Sequence, residues 1–190
     1  MLPPNIARNK EYTLVLDLDE TLVHFEPKIR NYRPRPGVKH FLREMEQYFE
    51  LVVFTAGLKE YADWILNDLD KARYISHRLY RDDTKQKNGV YVKDLSKLGR
   101  DMEKVIIIDN IEENFQNQPK NGIPIRGWYS DPLDNELEKY GSFLKDLVLR
   151  EVRDVRPDVV RFKQRVKEES EIMWRNEMNR KQKEKKSYVR

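Results

Sequence analysis

Three short apolar runs organise this sequence, and each of them ends in side chains that carry oxygen. The runs cover residues 14–16, 51–54 and 105–108, and apolar residues at helical spacing fill the stretches between them. Strands that alternate with helices predict an α/β fold with a parallel sheet, right-handed crossovers and flanking helices. Because the carboxyl ends of parallel strands meet at one edge of a sheet, we expect the polar residues after the three runs to form a single site.

The first run is followed by Asp17 and Asp19, with Thr21 two residues further on. Side chains two residues apart point to the same side if the strand continues that far, and two carboxylates held together either share a proton or bind a cation. An isolated Asp-x-Asp is more often a turn or a helix cap. In this chain the pair closes a buried strand, and two further strands end in a similar way. The sequence therefore favours a metal-dependent acid site.

The other strand ends offer groups for an anion and for a cation. Thr55 and Ala56 follow the second run, where a hydroxyl and backbone amides can bind an anion, while Thr55 could equally cap the next helix. Asp109 and Asn110 follow the third run, and Asn110 is also a candidate cap for residues 111–118. Lys93 closes the short strand predicted over residues 89–92, where it is either catalytic or an ordinary solvated lysine.

Composition limits the possible chemistry. The chain has 190 residues, which is enough for one domain with a sizeable core and an appendage. It contains no cysteine, which excludes disulfides and thiolate chemistry and fits a reducing compartment. No apolar run approaches the roughly 20 residues of a membrane span, and the first ten residues lack the apolar core of a signal peptide. We therefore expect no transmembrane segment and an intracellular location.

Residues 25–37 are predicted to form a loop, because they contain three prolines and a glycine. Arg30, Arg33 and Arg35 lie in this loop, either as ordinary solvated residues or as a rim that attracts phosphate. The other predicted elements are helices over residues 38–49 and 58–69, a short strand over 74–80, a polar turn over 81–88, a strand over 122–125, and a helix that begins at Ser130 and is broken near Gly141.

The composition changes after Val152. Residues 151–190 hold 13 Lys and Arg against 8 Asp and Glu, so the chain is predicted to divide into a domain over residues 1–152 and a charged helical arm over residues 153–190. The arm is predicted to bury little against its own domain, and its last ten residues to be disordered without a partner. Its thin apolar stripe consists of Val159, Phe162, Val166, Met173 and Trp174, and its basic end contains Lys181, Lys183, Lys185 and Lys186.

Two interpretations of the arm remain open. It either docks on another macromolecule, with a protein favoured over RNA, or forms a solvated helix that frays. The stripe suits a groove on a partner, and the basic end suits an acidic surface or phosphates.

Four motifs in order resemble those of one protein superfamily. DLDETLVH, FTAG, YVKDLSKLGRD and IIIDN resemble the haloacid dehalogenase superfamily and, more narrowly, its phosphatases of the RNA polymerase C-terminal-domain and NLI-interacting-factor type. The likeness covers about residues 11–150. It implies a Rossmann-like parallel sheet with the site at the strand ends. It also implies a Mg²⁺-dependent phosphatase of the DxDxT type that removes phosphate from serine or threonine in phosphoproteins.

The resemblance implies a role for each motif residue. Asp17 would be the nucleophile that forms an aspartyl-phosphate, and Asp19 would protonate the leaving alcohol and then activate water. Thr55 and Lys93 would bind the phosphoryl oxygens, and Thr21 and Ala56 would complete the substrate site. The metal residues would be Asp17, the Asp19 carbonyl and Asn110, with Asp109 orienting Lys93 or the metal-bound waters.

Two departures from the family pattern concern substrate recognition. The loop over residues 25–35 is shorter than the insertion that the family's small phosphatases often carry. An arginine that often precedes the YVKDL motif is replaced by Asn88, with Lys85 and Lys87 nearby.

The short loop and the residues Asp154-Val155-Arg156-Pro157 are also similar to the presequence-receptor subunit of the mitochondrial inner-membrane translocase. That subunit usually has a degraded acidic motif, whereas this chain keeps both aspartates, which favours an active enzyme. The alternative is a non-catalytic receptor or scaffold in a larger assembly, mitochondrial or containing RNA. The resemblances leave the nucleus, the cytoplasm and the mitochondrion open.

Overall fold

The computed structural model describes Leu2 and residues 10–187, and beyond Ile172 it describes side chains only at Arg175 and Met178. The predicted side-chain roles of Met173, Trp174 and the four lysines of the basic end therefore lie outside the described residues. In chain order the strands and α-helices are β1 Tyr12–Leu16, β2 Val23–Glu26, β3 Asn31–Pro34, α1 Val38–Met45, β4 Phe49–Phe54, α2 Lys59–Leu69, β5 His77–Leu79, β6 Lys85–Lys87, β7 Val90–Val92, β8 Val105–Asp109, β9 Gly122–Pro124, α3 Glu136–Leu149 and α4 Arg156–Ser187.

The main sheet has five parallel strands in the order β5-β4-β1-β8-β9, which confirms the predicted parallel α/β sheet. The strand β1 lies at its centre, where Leu14 pairs with Leu51 on one side and with Ile106 on the other. The strands β1, β4 and β8 are buried along their whole length. This burial explains why each of them is an unbroken apolar run rather than an alternating pattern.

The two faces of the sheet are covered differently. Leu14, Leu16 and their neighbours pack against the helices, in a core that includes residues from α1, α2, α3 and α4. Val15, Val52 and Ile107 point to the other face, where Leu95, Leu98 and Phe115 cover them. These three belong to short 3₁₀ helices, Leu95–Leu98 and Glu112–Phe115. Short 3₁₀ segments therefore cover this face, whereas α-helices cover the other.

The prediction of a loop over residues 25–37 is wrong. The strands β2 and β3 pair antiparallel in this region, with Val23 opposite Pro34 and Phe25 opposite Tyr32. Proline is tolerated in a two-stranded sheet because an edge strand does not need every N–H group for its ladder. Pro27 lies in the turn and Pro34 is the last residue of β3, so neither proline prevents the hairpin.

The prediction of a polar turn over residues 81–88 is also wrong. A 3₁₀ helix spans Arg81–Asp83, and β6 then pairs antiparallel with β7. Asn88 and Gly89 form the tight turn between them, with φ angles of 51° and 82°. Asn-Gly is a strong hairpin signal because both residues tolerate positive φ.

The helix α3 begins at Glu136 rather than at Ser130, and it continues through Gly141 without a break. Asp134 accepts a hydrogen bond from the Glu136 backbone amide at 3.3 Å, so its side chain marks the start of the helix. A Cβ atom at Gly141 would lie 3.4 Å from the Phe41 ring, an ordinary contact distance, so this buried position faces α1 and glycine fits it without breaking the helix.

The first turns of α4 belong to the core, which corrects the prediction that the arm buries little against its own domain. Val155, Val159 and Phe162 are buried. The Phe162 ring stacks on Phe143 at 4.0 Å between centroids and meets Tyr140 edge-on at 5.1 Å. The division into residues 1–152 and 153–190 stays a prediction. None of the helices that the structure describes is long and apolar enough to cross a membrane.

Candidate active site

Asp17 stands at the end of the central strand, fixed from both sides. Its backbone amide donates to the Ile108 carbonyl at 3.0 Å, which ties it to β8. Its Oδ1 atom accepts a hydrogen bond from Lys93 Nζ at 2.5 Å, and its Oδ2 atom accepts one from Thr21 Oγ1 at 3.0 Å. The carboxylate is therefore held in one orientation at the mouth of the sheet.

Lys93 is completely buried beneath this edge, where it connects two strand ends. Its ammonium lies 2.5 Å from Asp17 and 2.6 Å from Asp109 Oδ2. Burial alone would lower the pKa of Lys93, but the two carboxylates outweigh it and raise the pKa above its ordinary value. The solvated alternative for Lys93 is therefore wrong, and the side chain is a fixed positive charge.

The charges in this cluster do not balance. Burial raises the pKa of Asp17 to about 7, with Lys93 acting against the rise and Asp109 and Asp19 adding to it. Two buried carboxylates thus share one ammonium, and a third carboxylate stands close by. An arrangement of this kind binds either a proton or a further cation.

Asp19 lines the cavity and is oriented by two hydroxyl groups. Thr55 Oγ1 donates to its Oδ2 atom at 3.4 Å, and Tyr61 donates a short hydrogen bond to its Oδ1 atom. Burial and the Asp19 carboxylate raise the pKa of Tyr61, which keeps its hydroxyl protonated. The sequence pattern places Tyr61 among the apolar positions of α2, so its role at the site was missed.

Thr55 does not cap the next helix. The N-cap of α2 is Leu58, which makes no side-chain cap, and Thr55 Oγ1 instead accepts a hydrogen bond from the Gly57 amide at 2.9 Å. Asn110 likewise does not cap the following 3₁₀ helix, whose N-cap is Ile111. Both polar side chains are therefore available to the site.

A cavity of about 500 Å³ opens over these residues. Asp17, Asp19, Thr55, Ala56 and Asn110 line it, while Lys93 and Asp109 lie buried below its floor. The other lining residues are Glu20, Phe25, Gly57, Leu58, Tyr61, Arg81, Ile111 and Asn114. The structure thus gathers the predicted residues at one place, except that Thr21 lies fully buried behind Asp17.

The prediction of an arginine rim is not supported for Arg33 and Arg35. Arg35 is buried and forms a two-pronged ion pair with Asp134, at 2.7 and 2.8 Å. It also donates to the Thr21 carbonyl at 3.1 Å, so it braces the turn that carries the aspartates. Arg33 pairs with Glu26 at 2.8 Å. The arginine that does line the cavity is Arg81, whose Nε donates to the Ala56 carbonyl at 2.6 Å.

The residues present fit a magnesium ion. No group of three or more Asp, Glu, His or Cys side chains is arranged as a metal cage among the described residues. Mg²⁺ does not need such a cage, because it usually binds one or two protein carboxylates and keeps several waters. Asn110 lines the cavity, and its side chain makes no hydrogen bond to the part of the chain that the structure describes. Its amide oxygen and the surplus carboxylate charge suit a hard divalent cation.

Comparison with known proteins identifies the family. The family model described as NLI interacting factor-like phosphatase matches residues 12–156. The chain belongs to this family. It is 41% identical over 186 residues to CTD small phosphatase-like protein 3 of Caenorhabditis elegans, covering 88% of this chain and 64% of that protein. It is also 44% identical over 162 residues to the mitochondrial import inner membrane translocase subunit tim50 of Aspergillus fumigatus, covering 84% of this chain and 32% of that protein.

A solved structure shows the same fold at low identity. A variant of fission yeast Fcp1, an RNA polymerase II CTD phosphatase bound to beryllium fluoride, matches with a TM-score of 0.54 and 18% identity. The match covers 84% of this chain and 56% of that chain. The predicted haloacid dehalogenase-like fold is thus confirmed. The chain spans between about a third and two thirds of the length of the relatives named above.

Proposed function

We propose that this chain is a Mg²⁺-dependent phosphatase that acts on phosphoserine or phosphothreonine in proteins and passes through an aspartyl-phosphate. The observation that carries the proposal is the position of Asp17. Its carboxylate lines an open cavity, 2.5 Å from the buried Lys93 ammonium, and Asp19 lines the same cavity. Membership of a phosphatase family supports the same reaction class.

The first step transfers the phosphoryl group to Asp17. A carboxylate oxygen attacks phosphorus, the bond from phosphorus to the serine or threonine oxygen breaks, and Asp19 gives a proton to that leaving oxygen. Lys93 offsets the repulsion between the carboxylate and the phosphate dianion, and Thr55 binds a phosphoryl oxygen. Mg²⁺, when held by Asp17, the Asp19 carbonyl and Asn110, would neutralise further charge on the phosphoryl oxygens.

The second step releases phosphate. A water molecule attacks the phosphorus of the aspartyl-phosphate, Asp19 accepts its proton, and the Asp17 carboxylate is regenerated. Tyr61 hydrogen-bonds to Asp19 Oδ1 in both steps. The single Thr55 proton, which points to Asp19 Oδ2 in the free protein, turns to a phosphoryl oxygen when substrate binds and leaves Oδ2 free to give and accept the proton. Asp109 keeps the Lys93 ammonium in place throughout.

The cavity wall supports a peptide substrate. Phe25, Leu58 and Ile111 provide apolar surface beside the acid cluster, and Arg81 adds one positive charge. Leu58 and Ile111 are about half exposed, as expected for residues that meet a bound chain rather than a core. A phosphorylated side chain with apolar neighbours fits this surface better than a small hydrophilic metabolite does.

The reaction is tested by comparing two leaving groups in the presence of Mg²⁺. The Asp19→Asn variant is expected to lose at least about 100-fold in kcat on a phosphoserine peptide, whose alkoxide needs a proton. On p-nitrophenyl phosphate, whose leaving group needs no acid, it is expected to give a burst of one nitrophenolate per protein, followed by slow turnover. Asp63→Asn, a change on α2 outside the cavity, is the matched control and should leave both rates unchanged.

A wild-type chain that releases no phosphate from either substrate with Mg²⁺ present, while remaining folded, would exclude the enzyme. EDTA is expected to abolish turnover, and activity that survives EDTA would exclude the metal part of the proposal.

A second candidate is a receptor or scaffold in a larger intracellular assembly. The identity to tim50 favours it, and so does α4, which continues well past its packed turns. Lys139 pairs with Glu169, and Ile172 and Met178 are exposed beyond that point. We propose a protein as the partner of this arm, with RNA as the alternative.

The arm is tested by truncation after residue 170, because a cut at Asp154 would remove Val155, Val159 and Phe162 from the core. The shortened chain is expected to keep its fold and phosphatase activity and to lose its partner in pull-down experiments. Partner capture that is sensitive to nuclease and falls steeply with salt would indicate RNA. Unchanged capture of every partner by the shortened chain would exclude the docking role.

A further inference from the structure

Asn114 joins two parts of the acid cluster, although neither the sequence pattern nor the family resemblance pointed to it. It lies in the 3₁₀ helix Glu112–Phe115 that follows β8, and only 6% of its surface is exposed. Its side-chain Nδ2 donates to both oxygens of Asp109, at 3.1 and 3.2 Å. Asn114 therefore fixes the plane of the Asp109 carboxylate.

The backbone of the same residue holds the other partner. The Asn114 carbonyl accepts a hydrogen bond from the Lys93 backbone amide at 2.6 Å. Lys93 is thus tied at both ends: its main chain to Asn114, and its ammonium to Asp109, which Asn114 orients. Fixing a long and flexible lysine side chain costs conformational entropy. The two attachments offset this cost and hold the ammonium at one position.

The two oxygens of Asp109 accept hydrogen bonds from different donors. The Ile111 amide donates to Oδ1 at 2.8 Å, whereas Lys93 binds Oδ2 at 2.6 Å. Without the Asn114 amide, Oδ1 would keep a backbone donor, and Oδ2 would lose the one neutral donor it has among the described residues. The oxygen that anchors Lys93 is therefore the one that depends on Asn114.

We propose that Asn114 is a positioning residue for phosphoryl transfer, which holds the Lys93 ammonium against Asp17 by orienting Asp109. The expected loss of kcat rests on the proposed function. The expected displacement of the Lys93 ammonium does not, because it can be observed in an inactive protein. Hydrogen-bond partners of this outer kind typically affect activity by roughly 10- to 100-fold.

Asn121 provides a matched control. It is also a buried asparagine, with 3% of its surface exposed, and its Nδ2 donates to the carbonyls of Met102 and Val105 at 2.7 Å each. Its own carbonyl accepts from the Ile107 amide at 2.9 Å. It thus resembles Asn114 in burial and bonding, but it does not line the cavity.

The kinetic test compares Asn114→Ala with Asn121→Ala on a phosphoserine peptide, at a temperature where circular dichroism shows both variants folded. Asn114→Ala is expected to lower kcat by roughly 10- to 100-fold with little change in KM, because the lysine acts on the transition state. Asn121→Ala is expected to lower the melting temperature and to leave kcat within about twofold of the wild type. Equal losses of kcat in the two variants, or none in Asn114→Ala, would overturn the proposal.

The structural test needs no activity. Crystal structures of the two variants are expected to show the contact between Lys93 Nζ and Asp17 Oδ1 lengthened beyond about 3.5 Å in Asn114→Ala and retained in Asn121→Ala. If the wild type proves inactive, the proposed function fails and this comparison alone decides the inference. Should Asn114→Ala not fold, Asn114→Asp keeps the shape and removes both N–H donors, and the same displacement is expected. A retained contact in the folded Asn114 variant refutes the positioning role.

Discussion

Two buried ion clusters brace the turn between Asp17 and Thr21, and they differ in charge balance. The acid cluster has two carboxylates, Asp17 and Asp109, on the single Lys93 ammonium. The brace pair has one carboxylate, Asp134, on the Arg35 guanidinium, joined by two hydrogen bonds, and the largely exposed Arg126 lies 3.5 Å from the same carboxylate. Burial raises the pKa of Asp17, whereas Arg35 outweighs burial and holds the pKa of Asp134 below its ordinary value. Of these two clusters, only the acid cluster carries surplus negative charge, and it lies at the cavity.

The difference in charge balance indicates that the acid cluster serves function and the brace pair serves stability. A balanced and saturated ion pair fixes a fold but has no capacity for a further ligand, as in the brace pair. An unbalanced cluster at an open cavity costs free energy in the free protein and regains it when a cation or a reacting group arrives. Removing a charge should therefore have different main consequences in the two clusters. In the acid cluster it should lower activity, and in the brace pair it should lower the free energy of unfolding.

The largest expected effect concerns Lys93. Lys93→Met should lower kcat for phosphopeptide hydrolysis by at least about 100-fold, because a fixed charge at the developing phosphoryl charge is lost. Lys104→Met is the matched control, since Lys104 is also largely buried, bonded to the Val152 carbonyl and remote from the cavity. A Lys93→Met enzyme within tenfold of the wild type would remove the distinction between the clusters.

The next effect is on the free energy of unfolding. Asp134→Asn should destabilise the chain by about 3–5 kcal/mol, because Arg35 is left buried without its counter-charge. Asp131→Asn, at a half-exposed carboxylate 4.0 Å from Arg126, should change it by less than about 0.5 kcal/mol. Urea denaturation measures both values. A cost below 1 kcal/mol for Asp134→Asn would show that the brace pair contributes little.

The smallest effect is a difference in pH dependence, measured in EDTA. The lowered pKa of Asp134 gives stability that is present above pH 4 and lost as the pH falls below it. The raised pKa of Asp17 acts in the opposite sense: the folded state holds its proton more tightly, so stability declines as the pH rises from about 4 to about 7. Asp17→Asn should therefore remove the decline toward neutral pH, and Asp134→Asn the loss in acid. Parallel pH profiles for the two variants would contradict the assignment.

The sequence predicted the site where a local pattern identifies a strand and the parallel topology then fixes where that strand ends. Unbroken apolar runs predicted β1, β4 and β8, and parallel pairing then required Asp17, Thr55 and Asp109 to meet at one edge. The Lys93 site needed the family resemblance as well, because nothing local distinguishes a lysine at a strand end from a solvated one. The hairpin of β6 and β7 was predictable from Asn88-Gly89 and was missed.

Other features depend on partners that are distant in the chain. Arg35 was predicted to be solvated or to form a phosphate rim, whereas its partner Asp134 lies 99 residues away and the pair is buried. The sequence pattern predicts Tyr61 to be an apolar helix position, whereas in the structure its hydroxyl donates to Asp19. The sequence pattern places Phe162 in an apolar stripe without a partner in its own domain, whereas in the structure its ring packs on Phe143 and Tyr140. Such contacts are set by tertiary packing, which a single sequence does not display.

The most direct test of the account is phosphate release from a phosphoserine peptide by the wild type and by Asp17→Asn, at neutral pH with Mg²⁺. We expect steady turnover by the wild type and a rate at least about 100-fold lower for Asp17→Asn, which keeps the shape of the side chain but has lost the nucleophilic carboxylate. Undiminished turnover by Asp17→Asn would contradict it.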